Sequence, residues 1–151
     1  MALSTTAGEL EERVRSRLDD VDVRYTPGRA RIVRLIEAAR GPQSAAELHA
    51  VVRDEVPLSS LYRTLDVLSE AGVLERSHRV EGVTLFELAE WLRGHHHHLV
   101  CTECGSVVDV DAGTKDEEIL GAFTERIATS QGFLARGHRI DVEGICSRCA
   151  A

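Results

Sequence analysis

The strongest constraint on this chain is a pair of thiol pairs, Cys101-x-x-Cys104 and Cys146-x-x-Cys149, which use all four cysteines. Four soft thiolate ligands make a closed tetrahedral zinc set if the two pairs meet in space. Gly105, directly after Cys104, frees the backbone to turn tightly about such an ion. The separation of the pairs is longer than in a simple zinc ribbon, so a strand and a helix must intervene. A thioredoxin-like redox pair is the competing reading, but it needs a strand-to-helix turn in a βαβ unit, and neither pair is placed on one. Paired thiols of this kind suit a reducing compartment. Residues 1–23 are polar and amphipathic rather than signal-like, and no apolar run reaches the roughly eighteen residues of a membrane span. A cytoplasmic location with no membrane contact is therefore expected.

With 151 residues and 43% hydrophobic content, the chain can hold one medium domain or two small ones. Leu10, Val14, Leu18 and Val21 recur at helical spacing and predict a first amphipathic helix. Thr26 as cap and Pro27 at the first helical position open a second, which carries Ile32, Val33, Leu35 and Ile36 and stops at Gly41-Pro42. Ser44 with Glu47 forms a capping box for a third helix through about Val52. After Val56-Pro57, Leu61, Leu65 and Leu68 mark a fourth helix from Ser59 to Ala71, capped by Gly72. It leaves Ser59 and Arg63 on the outer face, with Tyr62 on its flank.

Two strand-like runs follow, Val73 to Ser77 and Val83 to Leu88, around a turn at Glu81-Gly82. Helices followed by a hairpin make a winged helix-turn-helix. Ala89 to Gly94 reads as a connector, His95 to Cys101 and Ser106 to Val110 as strands, and Lys115 to Gln131 as a helix carried by Leu120, Phe123 and Ile127. Arg139 to Ile145 alternates as a last strand. The expected fold class is α+β: a winged-helix domain over 1–88, a hinge over 89–94, and over 95–151 a small α/β metal-binding domain with a four-cysteine zinc site.

The formal charge of −7 runs against contact with phosphate, but residues 24–63 hold seven arginines against Glu37, Glu47, Asp54 and Glu55. The basic balance is thus confined to the winged-helix part. In His95-His96-His97-His98, successive strand side chains point to opposite faces, so His95 and His97 serve one side and His96 and His98 the other. One strand can therefore feed two metal sites. Imidazole with carboxylate suits Fe(II), Mn(II) or Zn(II), and Glu87, Asp109, Asp116, Glu117 and Glu118 supply carboxylates.

Thr26-Pro27-Gly28-Arg29, Ser60-Leu61-Tyr62-Arg63-Thr64-Leu65, Phe86-Glu87-Leu88, and the run from His95 to Gly105 closed by Cys146-x-x-Cys149 together resemble the ferric uptake regulator family. The resemblance extends from about Arg24 to Cys149. It implies a homodimeric repressor of double-stranded DNA with a divalent metal as corepressor, and dimer symmetry then requires a palindromic operator. It puts the structural zinc on Cys101, Cys104, Cys146 and Cys149. The sensory site falls on Glu87, His96, His98 and Asp109, and a second site of the dimerisation domain on His95, His97, His138 and a helix carboxylate. Alignment to the later half of that helix lands on Gly121, so Glu117, one turn earlier on the same face, is expected there, with Asp116 and Glu118 behind it. Many members place a histidine near Gly41-Pro42, where this chain has none. His78 on the first wing strand is read as filling the vacancy, and His49 as an ordinary residue of the third helix. Ser59, Tyr62 and Arg63 are expected in the major groove, with Arg24 on the backbone or minor groove nearby.

Because the structural site takes every cysteine, the sensory donors are nitrogen and oxygen only, a set that suits Fe(II) or Mn(II) better than thiolate-containing sets do. Iron is the expected corepressor. A zinc uptake repressor is one alternative within the family. A manganese- or iron-dependent peroxide sensor is another, since Asp109 stands where iron sensors often have Glu. The competing class is a zinc metalloenzyme on His95, His97 and His138, which would need an open coordination position and a general base. No His-Glu-x-x-His helix is present, and Val100 and Ile145 stand where a deaminase signature has proline. Neither enzyme activity nor a small organic substrate is expected.

Overall fold

The structure is a computed structural model that describes residues 7–78 and 82–151. Residues 1–6 and the wing-turn residue Glu81 lie outside the described residues. The chain divides into two compact units, with the change between Gly94 and His95.

In the first unit, α1 (Ala7–Asp19) buries Leu10, Val14 and Leu18. Val21 is exposed, because the helix has already closed: Val23 N–H donates to Leu18 O, with Asp22 at φ 55°. Helix α2 (Pro27–Glu37) starts where Thr26 accepts from the Arg29 amide and Pro27 supplies a preset φ. A two-residue strand, β1 (Gln43–Ser44), leads into α3 (Ala45–Val52), whose capping box has Glu47 Oε2 accepting from the Ser44 amide at 2.7 Å. Helix α4 spans Leu58–Glu70, one residue earlier than the sequence suggests, with Pro57 as its cap. Leu61, Leu65 and Leu68 point inward onto Ile32, Val33, Ile36, Leu48 and Val52. The helix closes at Gly72, φ +72°, where Val73 N–H donates to Leu68 O and Gly72 N–H to Ser69 O.

Strands β2 (Leu74–His78) and β3 (Thr84–Leu88) pair antiparallel, and β1 adds on the far side of β3, giving the order β1-β3-β2. The segment read as a free connector is partly a helical turn, α5 (Glu90–Arg93). Leu92 joins the core, the Trp91 indole N–H donates to Gly72 O at 2.8 Å, and Arg93 reaches Ala39 O. The connector is therefore held to the winged helix up to Gly94.

The second unit is a three-stranded sheet with β4 (His97–Cys101) in the middle. Strand β5 (Val107–Val110) pairs antiparallel on one side, and β6 (Asp141–Gly144) pairs parallel on the other. A parallel neighbour requires a crossover, and α6 (Gly113–Ser130) lies in that connection. Register puts Leu99 opposite both Val108 and Val142, and puts His98 opposite both Asp109 and Asp141. The sheet thus carries an apolar row and an ionisable row on opposite faces. The apolar stripe expected to bury α6 is largely uncovered: Phe123 and Ile127 are exposed and Leu120 is half-buried, while Ile119, Leu99, Val108 and Val142 are exposed as well. Among the described residues of this unit, Ala128 and Cys101 are the only buried hydrophobics.

Candidate metal centres and nucleic-acid interface

Four cysteines meet at one end of the second unit. The end of β4 brings Cys101, and a tight turn in which Gly105 N–H donates to Cys101 O, with Gly105 at φ +68°, brings Cys104. The chain leaving β6 supplies Cys146 and, through a turn closed by Cys149 N–H to Cys146 O, Cys149. Tetrahedral zinc with bonds of about 2.3 Å sets sulfurs about 3.8 Å apart; Cys104 Sγ and Cys146 Sγ are 3.9 Å apart, and all four lie within 4.8 Å. The set fits a zinc ion. The Cys146 amide donates to Cys101 Sγ at 3.3 Å. The Ser106 hydroxyl and then its amide lower the Cys104 thiol to about 6, so thiolate character is built in. Hydrogen bonds with Cys146 and then Cys104 push the Cys149 thiol up to about 12.

A second cluster joins the chain entering β4 to α6 and the approach to β6. Glu117 Oε1 lies 2.7 Å from His138 Nε2 and 3.2 Å from His95 Nε2, and its Oε2 lies 3.0 Å from His97 Nε2. His95 Nε2 and His138 Nε2 are 3.4 Å apart. Bonds of about 2.0–2.1 Å to one tetrahedral ion space its ligand atoms about 3.3 Å apart, so three nitrogens and one carboxylate fit a single cation. Burial would raise the Glu117 carboxyl, but the His97 hydrogen bond and the three imidazoles outweigh it and hold the group below the usual carboxylate range. Asp116 and Glu118 are exposed on neighbouring positions of α6 and are not in the cluster.

The other face of the histidine run forms a third group. His98 Nε2 lies 3.6 Å and His96 Nε2 3.9 Å from Asp109 Oδ1. His98 is buried and Asp109 half-buried. Spacings of this size, slightly open for a small ion, suit a divalent cation with further ligands. Glu87 lies in the first unit, buried on β3 and opposite Glu75 in register. His78 is exposed at the end of β2, opposite Thr84, and His49 is half-buried on α3. Sequence reasoning missed one residue of the third group. Asp141 Oδ1 lies 3.0 Å from His98 Nδ1, on the opposite edge of the ring from Asp109.

The winged helix offers a different chemistry. Leu58, Ser59, Tyr62 and Arg63 are exposed on the outer side of α4, opposite the buried leucines. Arg24 is exposed just before α2, and its carbonyl accepts from the Arg29 guanidinium. Arg31 and Arg34 are paired, with Glu55 and Glu11. The start of α4, where Pro57 caps without a side-chain hydrogen bond, and the exposed Arg63 guanidinium in its second turn can meet phosphate and base edges together. No described helix is long and apolar enough to cross a membrane.

Residues 20–143 match the model of the ferric uptake regulator family. The ferric uptake regulation protein of Bacillus subtilis is 33% identical over 91% of this chain and 93% of its own length. The zinc uptake regulation protein of Mycobacterium tuberculosis is 35% identical over 84% of this chain and 95% of its own. A solved zinc uptake regulator complexed with zinc and DNA superposes with a TM-score of 0.58 at 27% identity, covering 97% of each chain.

Proposed function

The chain belongs to the ferric uptake regulator family, and from that membership we propose that it is a metal-responsive transcriptional repressor that binds a palindromic DNA operator as a homodimer. The observation that carries this reading is the alternation along residues 95–98. His95 and His97 turn to Glu117 and His138, while His96 and His98 turn to Asp109. One short segment thus serves two cation sites beside a closed four-thiol site.

The roles follow from the donors. Cys101, Cys104, Cys146 and Cys149 hold structural zinc. His96, His98 and Asp109 belong to the sensory site, and the family resemblance adds Glu87 and His78 of the first unit to that set. His95, His97, Glu117 and His138 form the supporting site. A bound divalent cation supplies fixed positive charge where imidazoles and carboxylates otherwise share protons. For such binding to switch DNA affinity, these side chains must hold the ion more tightly in the DNA-competent arrangement; about 5.5 kcal/mol of difference moves a 1:99 equilibrium to 99:1.

Arg63, Tyr62 and Ser59 are proposed to read the major groove, and Arg24 the adjacent backbone or minor groove. The uncovered apolar residues Leu99, Val108, Val142, Phe123 and Ile127 support pairing with a second copy, and an isologous dimer explains why a palindrome is the matching operator. Action on DNA supports a cytosolic location, and we assign the protein no enzyme activity. Nitrogen and oxygen donors favour Fe(II) as corepressor; the likeness to a zinc uptake regulation protein keeps Zn(II) as the second reading. Gel-shift titration with Fe(II), Mn(II) and Zn(II), anaerobically and in metal buffers, tests both. Operator binding with no dependence on any of the three overturns the function, and a response to zinc at lower free metal than iron overturns the metal.

A further inference from the structure

The sensory group has an outer partner that its family role does not explain. In the cross-strand row Asp109–His98–Asp141, the ring of His98 is clasped on both edges: Nδ1 lies 3.0 Å from Asp141 Oδ1 and Nε2 3.6 Å from Asp109 Oδ1. The main chain reinforces the placement, since the His98 amide donates to Ile140 O at 3.1 Å. An ionised carboxylate can only accept, so the Asp141 contact requires a proton on Nδ1. The neutral ring then has its lone pair on Nε2, the atom that faces Asp109. His97 is arranged differently: its Nε2 meets Glu117, and its buried Nδ1 has no hydrogen-bond partner among the described residues.

We propose that Asp141 is a positioning residue of the sensory site, holding His98 as the Nδ1-protonated tautomer so that Nε2 is presented to a divalent cation shared with His96 and Asp109. The proposal rests on the reading of that site given above. Asp141 acts through His98 rather than as a ligand, because its oxygen lies on the ring edge away from Nε2. A carboxylate behind a ligating imidazole fixes its orientation and raises its basicity, and loss of such a partner costs about 10–100-fold in metal affinity. The position also links two centres, since β6 carries Asp141 and ends two residues before Cys146.

The test uses full-length protein with the four-cysteine site zinc-loaded and the other sites stripped. Nitrogen-15 imidazole spectra at about pH 8, where an ordinary histidine is neutral, report the His98 tautomer before any metal is added. Wild type and Asp141→Asn, which keeps an acceptor oxygen, are expected to show Nδ1–H, and Asp141→Ala a shift towards Nε2–H. Co(II) competition titrations are expected to show the sensory site weakened about 10–100-fold in Asp141→Ala, less in Asp141→Asn, and partly restored in Asp141→Glu. An unchanged tautomer and affinity in Asp141→Ala overturns the proposal. So does a loss in Asp141→Asn equal to that in Asp141→Ala while the tautomer is kept, which would make Asp141 a ligand. If Asp141→Ala fails to retain its zinc, the Asn and Glu variants decide on the same two readouts. Failure of the underlying site is separately visible: His96→Ala would then bind as many Co(II) ions as wild type, whatever the tautomer of His98.

Discussion

His97 Nε2 and Glu117 Oε2 lie 3.0 Å apart, tying a buried imidazole at the start of β4 to an early turn of α6. The same carboxylate meets His95 and His138, so one side chain organises three rings from two separate segments of the unit. Removing it leaves the rings without their common acceptor. Glu117→Ala is expected to lose one equivalent of bound divalent metal while the zinc of the four cysteines remains. Asp116→Ala and Glu118→Ala, exposed on the same helix, should keep it. Elemental analysis after dialysis against a weak chelator decides, and loss in either neighbour with retention in Glu117→Ala would reassign the ligand.

The thin core of the second unit makes its thiols a folding element. With Ala128 and Cys101 as its buried hydrophobics among the described residues, burial contributes little, whereas structural zinc contributes an apparent 10–16 kcal/mol or so in small domains. That is comparable with the whole stability of about 5–15 kcal/mol of an ordinary domain. Cys101→Ser and Cys146→Ser should therefore lose both tight zinc and the dimer. A zinc-loaded dimer in native mass spectrometry of either variant contradicts the structural role.

The exposed row on the sheet and the stripe on α6 predict their own covering. Phe123 is 50% exposed on a helix whose periodicity marks it as inward-facing. Phe123→Asp puts a charge where a second copy would pack, and burying an unpaired charge costs several kcal/mol. A monomer that keeps its zinc is expected by analytical ultracentrifugation at micromolar protein; an undisturbed dimer places the interface elsewhere.

What was legible in the sequence was local. Thr26-Pro27 and Ser44 with Glu47 announce their helices because a cap is satisfied within three residues. Strand β1 escaped notice because two residues have no period; only pairing with Leu85 and Phe86, some forty residues away, makes them a strand. The histidine run was read as strand from His95, but pairing starts at His97. The alternation of its side chains nevertheless separates the two groups. Asp141 sat in a run recognised as a strand, yet nothing local specifies a parallel register with β4, and only that register sets it beside His98. The packing of Leu92 and Trp91 likewise depends on distant partners, which is why residues 89–94 read as a bare hinge.

The outer face of α4 yields a prediction about DNA. Tyr62 is 50% exposed, and Arg63 is exposed with no hydrogen bond or ion pair among the described residues. Neither side chain supports the core, so their loss should spare the fold. Tyr62→Ala and Arg63→Ala are each expected to weaken operator binding by roughly 1–3 kcal/mol, about five- to 160-fold, with metal content unchanged. Retention of full specific affinity in both by fluorescence anisotropy would contradict the placement of α4 in the groove.

The alternating faces of residues 95–98 give the most discriminating comparison. His96 and His98 share Asp109, whereas His97 meets Glu117 in the group that includes His95 and His138. If the first group senses metal, its ligands set the difference in cation affinity between DNA-competent and incompetent states, and without them added metal has no leverage on the equilibrium. The second group is proposed to stabilise the dimerisation unit in both states and so only to tune the response. His96→Ala is accordingly expected to remain a folded, zinc-containing dimer whose operator affinity no longer changes with Fe(II) or Mn(II). His97→Ala should bind fewer ions yet keep a weakened response. Metal-titrated gel shifts on the two variants separate the outcomes: equal behaviour contradicts two functionally distinct faces, and a reversed pattern exchanges sensor and support.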